Sequence, residues 1–311
     1  MKSEKYAKLV WFSLVFNVIV VVWGVFLRAS KSGDGCGKFW LTCQGEVIPS
    51  APEFKTVIEF SHRLMSGLDF FLMLAVFLIA VLYFKKDRQI IAFASLAFLL
   101  IITEAAIGAG LVLTGNVATT HTDSRPLWAV GHLINTFLLL GSISVLGALL
   151  SSGKRFAGKA SARVRLFAFV GTLLLLFVGV TGAVAALTNM LYPSDSVIEA
   201  LLRDFDPASA FILRIRILHP IGAVITAVFV GFLAGWFKSA HEGSKEIGFW
   251  SGIVTLSLVL QVILGGTTIL LGAPIVLQLA HLILADAVWI GWIMLCAHVF
   301  LGSETRITDK V

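Results

Sequence analysis

Residues 58–69, IEFSHRLMSGLD, set a carboxylate, Glu59, three residues before an imidazole, His62, at the mouth of an apolar run that continues to Phe84. On an α-helix, three residues amount to about 300° of rotation and roughly 4.5 Å of rise, so both side chains share a face. Ionisable groups inside an apolar segment are costly to bury and point to a functional site. Further along the same face, two turns below His62, sits Asp69.

The surroundings of this stretch decide the fold. Eight apolar runs recur, at about 9–27, 58–84, 89–113, 127–150, 166–187, 210–237, 249–272 and 275–300. Each approaches the roughly 20 residues needed to cross a hydrocarbon core of about 30 Å. Of 311 residues, 58% are hydrophobic and only 14% charged, with mean hydropathy +0.94. A soluble domain has about 25% charged residues. The expected fold is therefore an all-α membrane protein of eight transmembrane helices, its principal partner the lipid bilayer. The first run follows the short head MKSEKYAK without a small-residue cleavage pattern and reads as a retained span. The head leaves no room for an organellar presequence, which favours a prokaryotic plasma membrane.

The net charge of +6 is set by topology. Lys2, Lys5 and Lys8 precede span one; Lys85, Lys86 and Arg88 join spans two and three; Lys154, Arg155, Lys159, Arg163 and Arg165 join four and five; Lys238 and Lys245 join six and seven. Basic residues on alternate loops are the positive-inside signature, which places both termini in the cytoplasm. The opposite loops carry Asp34, Glu46, Glu53, Asp123, Asp195, Glu199, Asp204 and Asp206. No basic groove for nucleic acid is left over.

The chain also repeats itself. Glu104-Ala-Ala-Ile-Gly-Ala-Gly in span three is echoed by Gln261-Val-Ile-Leu-Gly-Gly-Thr in span seven, and Ala129-Val-Gly-His132-Leu-Ile by Gln278-Leu-Ala-His281-Leu-Ile. Ile58-Glu59-x-x-His62 is echoed by Ile215-Arg216-x-x-His219. Two pseudo-symmetric four-helix bundles of the same orientation follow: 1–150 with an outer cysteine loop at 29–57, and 166–311, joined by a basic linker at 151–165. Parallel repeats are a known membrane architecture, and a four-helix bundle suits a cofactor.

His62, His132, His219 and His281 lie on spans two, four, six and eight, all entering from the outer face. Each sits roughly 6–15 Å below the boundary at 1.5 Å per residue. Single histidines in such places are often bonded across a helix interface. A repeated pair at one depth in both halves instead suits iron ligands above and below a flat ring, while zinc prefers four clustered ligands. Gly67, Gly108, Gly110, Gly131, Gly222, Gly265 and Gly266 allow close approach. Arg28, Arg214 and Arg216 could pair with haem propionates or snorkel to headgroups. Where the first half has Glu59, the second has Arg216, so the first half is expected to handle the molecule being changed and the second to hold an electron-transfer haem. Glu104, Asp69 and Asp286 are further ionisable residues within the spans, and their roles are left open. Asn135 follows His132 by three residues, on nearly the same face. The Pro220 ring can kink span six, and a short surface helix is expected around 196–205. His121 is expected to be solvated, His241 and His298 to lie outside the cluster, and Cys296 to be packing.

The loop SKSGDGCGKFWLTCQGE carries Cys36 and Cys43 with six residues between them. Outside the plasma membrane thiols oxidise; a bond here would be a structural staple or a redox-active pair. Neither CxxC nor CxxCH occurs, which argues against thioredoxin-type chemistry and covalent haem attachment.

The run Gly33-Asp-Gly-Cys36-Gly-Lys-Phe-Trp40-Leu-Thr-Cys43, followed by IEFSHR at 58–63, resembles the heme A synthase family, and the span layout and histidines extend the likeness over nearly the whole chain. The resemblance implies an oxidoreductase that oxidises the methyl group at ring position eight of haem O to a formyl group, giving haem A for cytochrome oxidase. It implies that His219 and His281 bind haem b, that His62 and His132 surround the substrate haem O, and that Glu59 is the essential carboxylate. Some members carry a second cysteine pair after span five; this chain has none between Thr188 and Ser209. The electron donor is unnamed, and a homo-oligomer and a docked haem O synthase are left open. The competing readings are a non-enzymatic di-haem membrane cytochrome b and a haem-handling transporter.

Overall fold

The computed structural model describes residues 3–156 and 160–301. Lys2, Lys159, part of the 151–165 linker and the last ten residues of the 166–311 segment lie outside the described residues. The elements are α1 (Ser3–Ala29), α2 (Phe54–Tyr83), α3 (Arg88–Leu113), α4 (Arg125–Ser152), α5 (Ala162–Leu191), α6 (Val197–Phe205), α7 (Phe211–Arg214), α8 (Leu218–Ala240), α9 (Lys245–Leu270) and α10 (Ile275–Phe300). Eight spans among the described residues are long and apolar enough to cross a membrane, α7 and α8 together forming the sixth. The chain is an all-α, multi-pass membrane protein.

Local chemistry sets the helix ends. Asp87 caps α3 by accepting from the backbone N–H groups of Gln89 and Ile90, both at 3.2 Å. Ser161, Ser196 and Ser244 cap α5, α6 and α9 through the N–H three residues on. Each satisfies a donor that the first helical turn leaves without a partner. α4 ends on Gly153 at φ +65°, a left-handed conformation that costs glycine little.

The sixth span departs from the expected kink at Pro220. It is broken one turn earlier, through Ile215–Ile217, and α8 starts afresh at Leu218. Pro220 then falls in the first turn of α8, where its missing N–H costs no internal bond.

α1 packs against α2 and α4, α2 against α3, and α3 against α4. In the second half α5 packs against α8 and α10, α8 against α9, and α9 against α10. The halves meet where α4 touches α5 and α10, and where α1 reaches α10. α4 is accordingly buried along most of its length, whereas α2, α8 and α9 turn most of their surface outward. Trp289 of α10 stacks on Phe137 of α4 with centroids 4.9 Å apart and donates its indole N–H to the Phe137 carbonyl at 2.6 Å. Trp292 donates to Thr172 Oγ1 at 3.0 Å and so ties α10 to α5.

At the end remote from the cysteine loop, Arg155 binds the α3-capping Asp87, its Nε at 2.6 Å. Gln89 exchanges two hydrogen bonds with the backbone of Phe156, at 2.9 and 3.1 Å. The start of the linker is thereby fixed to the α2–α3 turn.

Gly171 of α5 sits so close to α10 that a Cβ there would lie 2.5 Å from the Trp292 ring. Overpacking of this kind costs about 1–3 kcal/mol. Gly171→Val is expected to lower the thermal unfolding midpoint of the detergent-solubilised protein; an unchanged midpoint would show that the α5–α10 contact is loose.

Candidate functional site

His62, His132, His219 and His281 each lie about two turns in from the start of their span, on the side of the molecule that carries the cysteine loop. All four line one cavity of ≈ 1900 Å³, well above the roughly 300–1,000 Å³ of an ordinary ligand pocket. The cavity runs past the Phe137–Trp289 seam from one half into the other.

In the second half, the rings of His219 and His281 face each other with centroids 6.3 Å apart and planes at 89°. Bonds of about 2 Å from a metal to two opposed imidazoles put the ring centres roughly 6 Å apart. His219 Nδ1 lies 3.2 Å from the Val178 carbonyl, an arrangement that fixes the ring and leaves Nε2 free for a ligand. His281 Nδ1 is buried without a partner, and its Nε2 is 3.3 Å from Gln261 Nε2. Both rings lean on glycine: a Cβ on Gly182 or Gly265 would come within 2.9 Å of His219 or His281.

The first half brings His62 and His132 to the same cavity. His62 lies against Gly24 of α1, where a Cβ would be 3.0 Å from its ring, and its Nδ1 is also buried without a partner. His132 behaves differently. Gly108, the counterpart of Gly265, has open space before it, and His132 Nδ1 instead approaches Glu104 Oε1 to 2.8 Å. Glu104 is itself fastened: Asn135 Nδ2 donates to Oε2 at 2.5 Å and Thr136 Oγ1 donates to Oε1.

Glu59 is buried, and both of its oxygens are taken. Arg63 pairs with Oε1 at 2.5 Å, and the backbone N–H of Cys36 donates to Oε2 at 2.8 Å. Arg63 also donates to the carbonyls of Phe39, Trp40 and Thr42. Together they fasten the loop closed by the Cys36–Cys43 disulfide, whose two cysteines are buried. A buried bond fits a structural staple, since redox-active pairs need access.

Arg216 does the matching work in the second half. Its guanidinium binds Asp204 at 2.7 Å, Asn189 Oδ1 at 2.7 Å and the Ala200 carbonyl at 2.9 Å. The residue expected to meet propionates thus anchors α6 across the cavity mouth while still lining it. Arg28 lines the cavity, and its guanidinium makes no hydrogen bond or ion pair among the described residues, whereas Arg214 lies over Phe211, 5.9 Å from the ring centre.

Asp69 accepts from Asn17 at 2.9 Å, and Asp286 has neither oxygen bonded; both line the cavity. His121 packs edge-on against Tyr192, joining the loops of the two halves. His241 bonds to the Phe237 carbonyl, and Cys296 is buried and free. Sequence reasoning missed Arg63, Thr136, Asn189 and the Asp204–Arg216 pair. The first lies inside the opening motif itself; the last joins an acidic helix to a span twelve residues away, a contact only the fold creates.

The profile of the COX15-CtaA family, described as a cytochrome oxidase assembly protein, matches residues 7–293. The chain belongs to the COX15-CtaA family. It is 24% identical to the heme A synthase of Bacillus cereus (strain 03BB102) over 313 residues, covering 96% of this chain and 95% of the relative. The heme A synthase of Bacillus anthracis (strain CDC 684 / NRRL 3495) gives the same figures. It is 38% identical to a protoheme IX farnesyltransferase of Thermus thermophilus over 316 residues, covering 99% of this chain. The chain spans about half of that relative's length, 51%.

Asp204→Asn removes the charge that holds Arg216. Amide exchange across Val197–Phe205 is expected to quicken about ten-fold, equivalent to about 1.4 kcal/mol, with α10 unaffected. Unchanged exchange would show that α6 is held by its apolar contacts alone.

Proposed function

We propose that this chain takes part in haem A biosynthesis as an oxidoreductase, converting the methyl group at ring position eight of haem O to a formyl group. The observation that carries the reading is the His219–His281 pair, centroids 6.3 Å apart in a cavity large enough for two macrocycles, in a chain that aligns with heme A synthases over 96% of its length. The donor set fits haem: partnerless imidazole nitrogens, the rings of His62, His219 and His281 backed by glycine, and apolar walls.

In this reading His219 and His281 hold haem b, which when bound supplies one-electron transfer. His62 and His132 flank the substrate haem O in the first half. The Arg28 guanidinium, without a protein partner, faces the carboxylates of a bound haem. Glu59, paired with Arg63 and bonded to the disulfide loop, keeps the loop closed over the substrate, which excludes water. Arg216 does the same for the other mouth through α6. The two halves, 1–150 and 166–311, divide substrate handling from electron transfer. The basic loops and both termini face the cytoplasm, and the membrane is the plasma membrane.

The Thermus relative supports a partner as well. Its name describes farnesyl transfer to protohaem, yet only about half of its length corresponds to this chain. A haem-farnesylating enzyme, which makes the substrate, is the partner this arrangement supports.

The test is expression with a haem O supply, followed by chromatography and mass analysis of the extracted haems. The expected product is haem A. Haems recovered unchanged would favour a di-haem electron carrier or a haem transporter. Glu59→Gln is expected to retain haem b and yield no formyl product; normal haem A output from it would remove Glu59 from the reaction. His281→Ala is expected to abolish the low-spin haem b spectrum, and an unaltered spectrum would remove that ligand assignment.

A further inference from the structure

The geometry points to Glu104 as a positioning residue that makes the two iron sites unlike. Its carboxylate stands at the Nδ1 edge of His132 and lends that imidazole negative charge, whereas the corresponding Gln261 brings no charge to His281. This inference rests on the reading that His132 faces a haem in the first half.

Glu104 on α3 and Gln261 on α9 occupy corresponding places in the two copies of the repeat, and each meets the histidine of the next span. Glu104 Oε1 lies 2.8 Å from His132 Nδ1; Gln261 Nε2 lies 3.3 Å from His281 Nε2. The carboxylate is the more firmly set of the two. The Thr136 hydroxyl, one turn after His132, lies between Glu104 Oε1 and the His132 carbonyl, 2.9 Å from the latter, and shares its one proton between them. Asn135 donates to Oε2 and also to the Leu100 carbonyl at 2.8 Å, while Thr103 donates to its Oδ1 at 2.6 Å. These three neighbours fix the direction from which Glu104 meets the ring. Gln261, by contrast, leaves Oε1 buried and unbonded.

The His132–Glu104 approach has the distance of a hydrogen bond without its alignment, which a modest turn of the imidazole would supply; such bonds are often misaligned before a ligand arrives. A carboxylate only accepts, so it selects the tautomer with hydrogen on Nδ1. An amide can donate or accept and selects neither. A carboxylate behind a ligating histidine also raises its basicity. A more basic axial ligand favours ferric iron and lowers the reduction potential, one of the levers a protein has over haem.

Two measurements on the full chain test this. In the haem-loaded protein, spectroelectrochemical titration of Glu104→Gln, which keeps side-chain shape and removes charge, is expected to move the first-half haem to a more positive potential and leave the second unchanged. In the haem-free protein, nitrogen-15 NMR of the His132 ring, assigned by its loss in His132→Asn, is expected to show hydrogen fixed on Nδ1 in the parent and a mixture of tautomers in Glu104→Gln. Potentials and tautomer both unmoved by Glu104→Gln would overturn the inference. The NMR result stands without any haem in the first half. A fixed tautomer together with His132→Asn leaving the haem spectra intact would therefore count against the haem assignment and for the role of Glu104.

Discussion

A polar side chain inside an apolar span has no water to bond, so it finds a protein partner, binds a ligand or raises the energy of the fold. This constraint organises the end of the molecule on which the disulfide loop lies. Arg63, Arg125, Arg216 and Gln278 stand on the four histidine-bearing spans, and each donates to carbonyls of the loop above: Phe39, Trp40 and Thr42; Thr120; Ala200; and Ala273. Once these bonds are made, the buried unmatched groups among the described residues are few and all line one cavity: His62, His132, Ser194, Thr226, Gln261, His281 and Asp286. A natural protein keeps buried polar groups unmatched where something else is meant to meet them.

Glu59 and Arg216 show how one position can keep its task while reversing its charge. Each lies three residues before a histidine, and each secures a lid. The carboxylate uses a backbone N–H of the disulfide loop; the guanidinium uses a carbonyl and a carboxylate of α6. A backbone offers both donors and acceptors, so either sign can anchor it. Each charge is also paired, Glu59 with Arg63 and Arg216 with Asp204, so the reversal of sign changes the anchor and leaves both pairs neutral overall.

Much of this was legible in the sequence. The eight spans follow from length and hydropathy, and the common depth of the four histidines from counting at 1.5 Å per residue. The surface helix at 197–205 was readable from its position in an acidic loop. The break before Pro220 was not, because proline permits a kink or a fresh start, and contacts such as those of Arg216 decide which. The engagement of Arg216 was hidden for the same reason: its partner Asp204 reaches it only after the loop folds back. Glu104 was visible as half of a repeat, but the rotation of α3 against α4 that brings it to His132 depends on packing across four helices.

The seam between α4 and α10 has a consequence for how damage spreads. These two helices carry His132 and His281, and they are joined by the Phe137–Trp289 stack and its hydrogen bond. His62 and His219 hang instead on α2 and α8, which face outward. A lesion on α2 or α8 therefore leaves a single-site signature. One at Trp289 disturbs His132 and His281 together, with neither helix of the outer pair having moved.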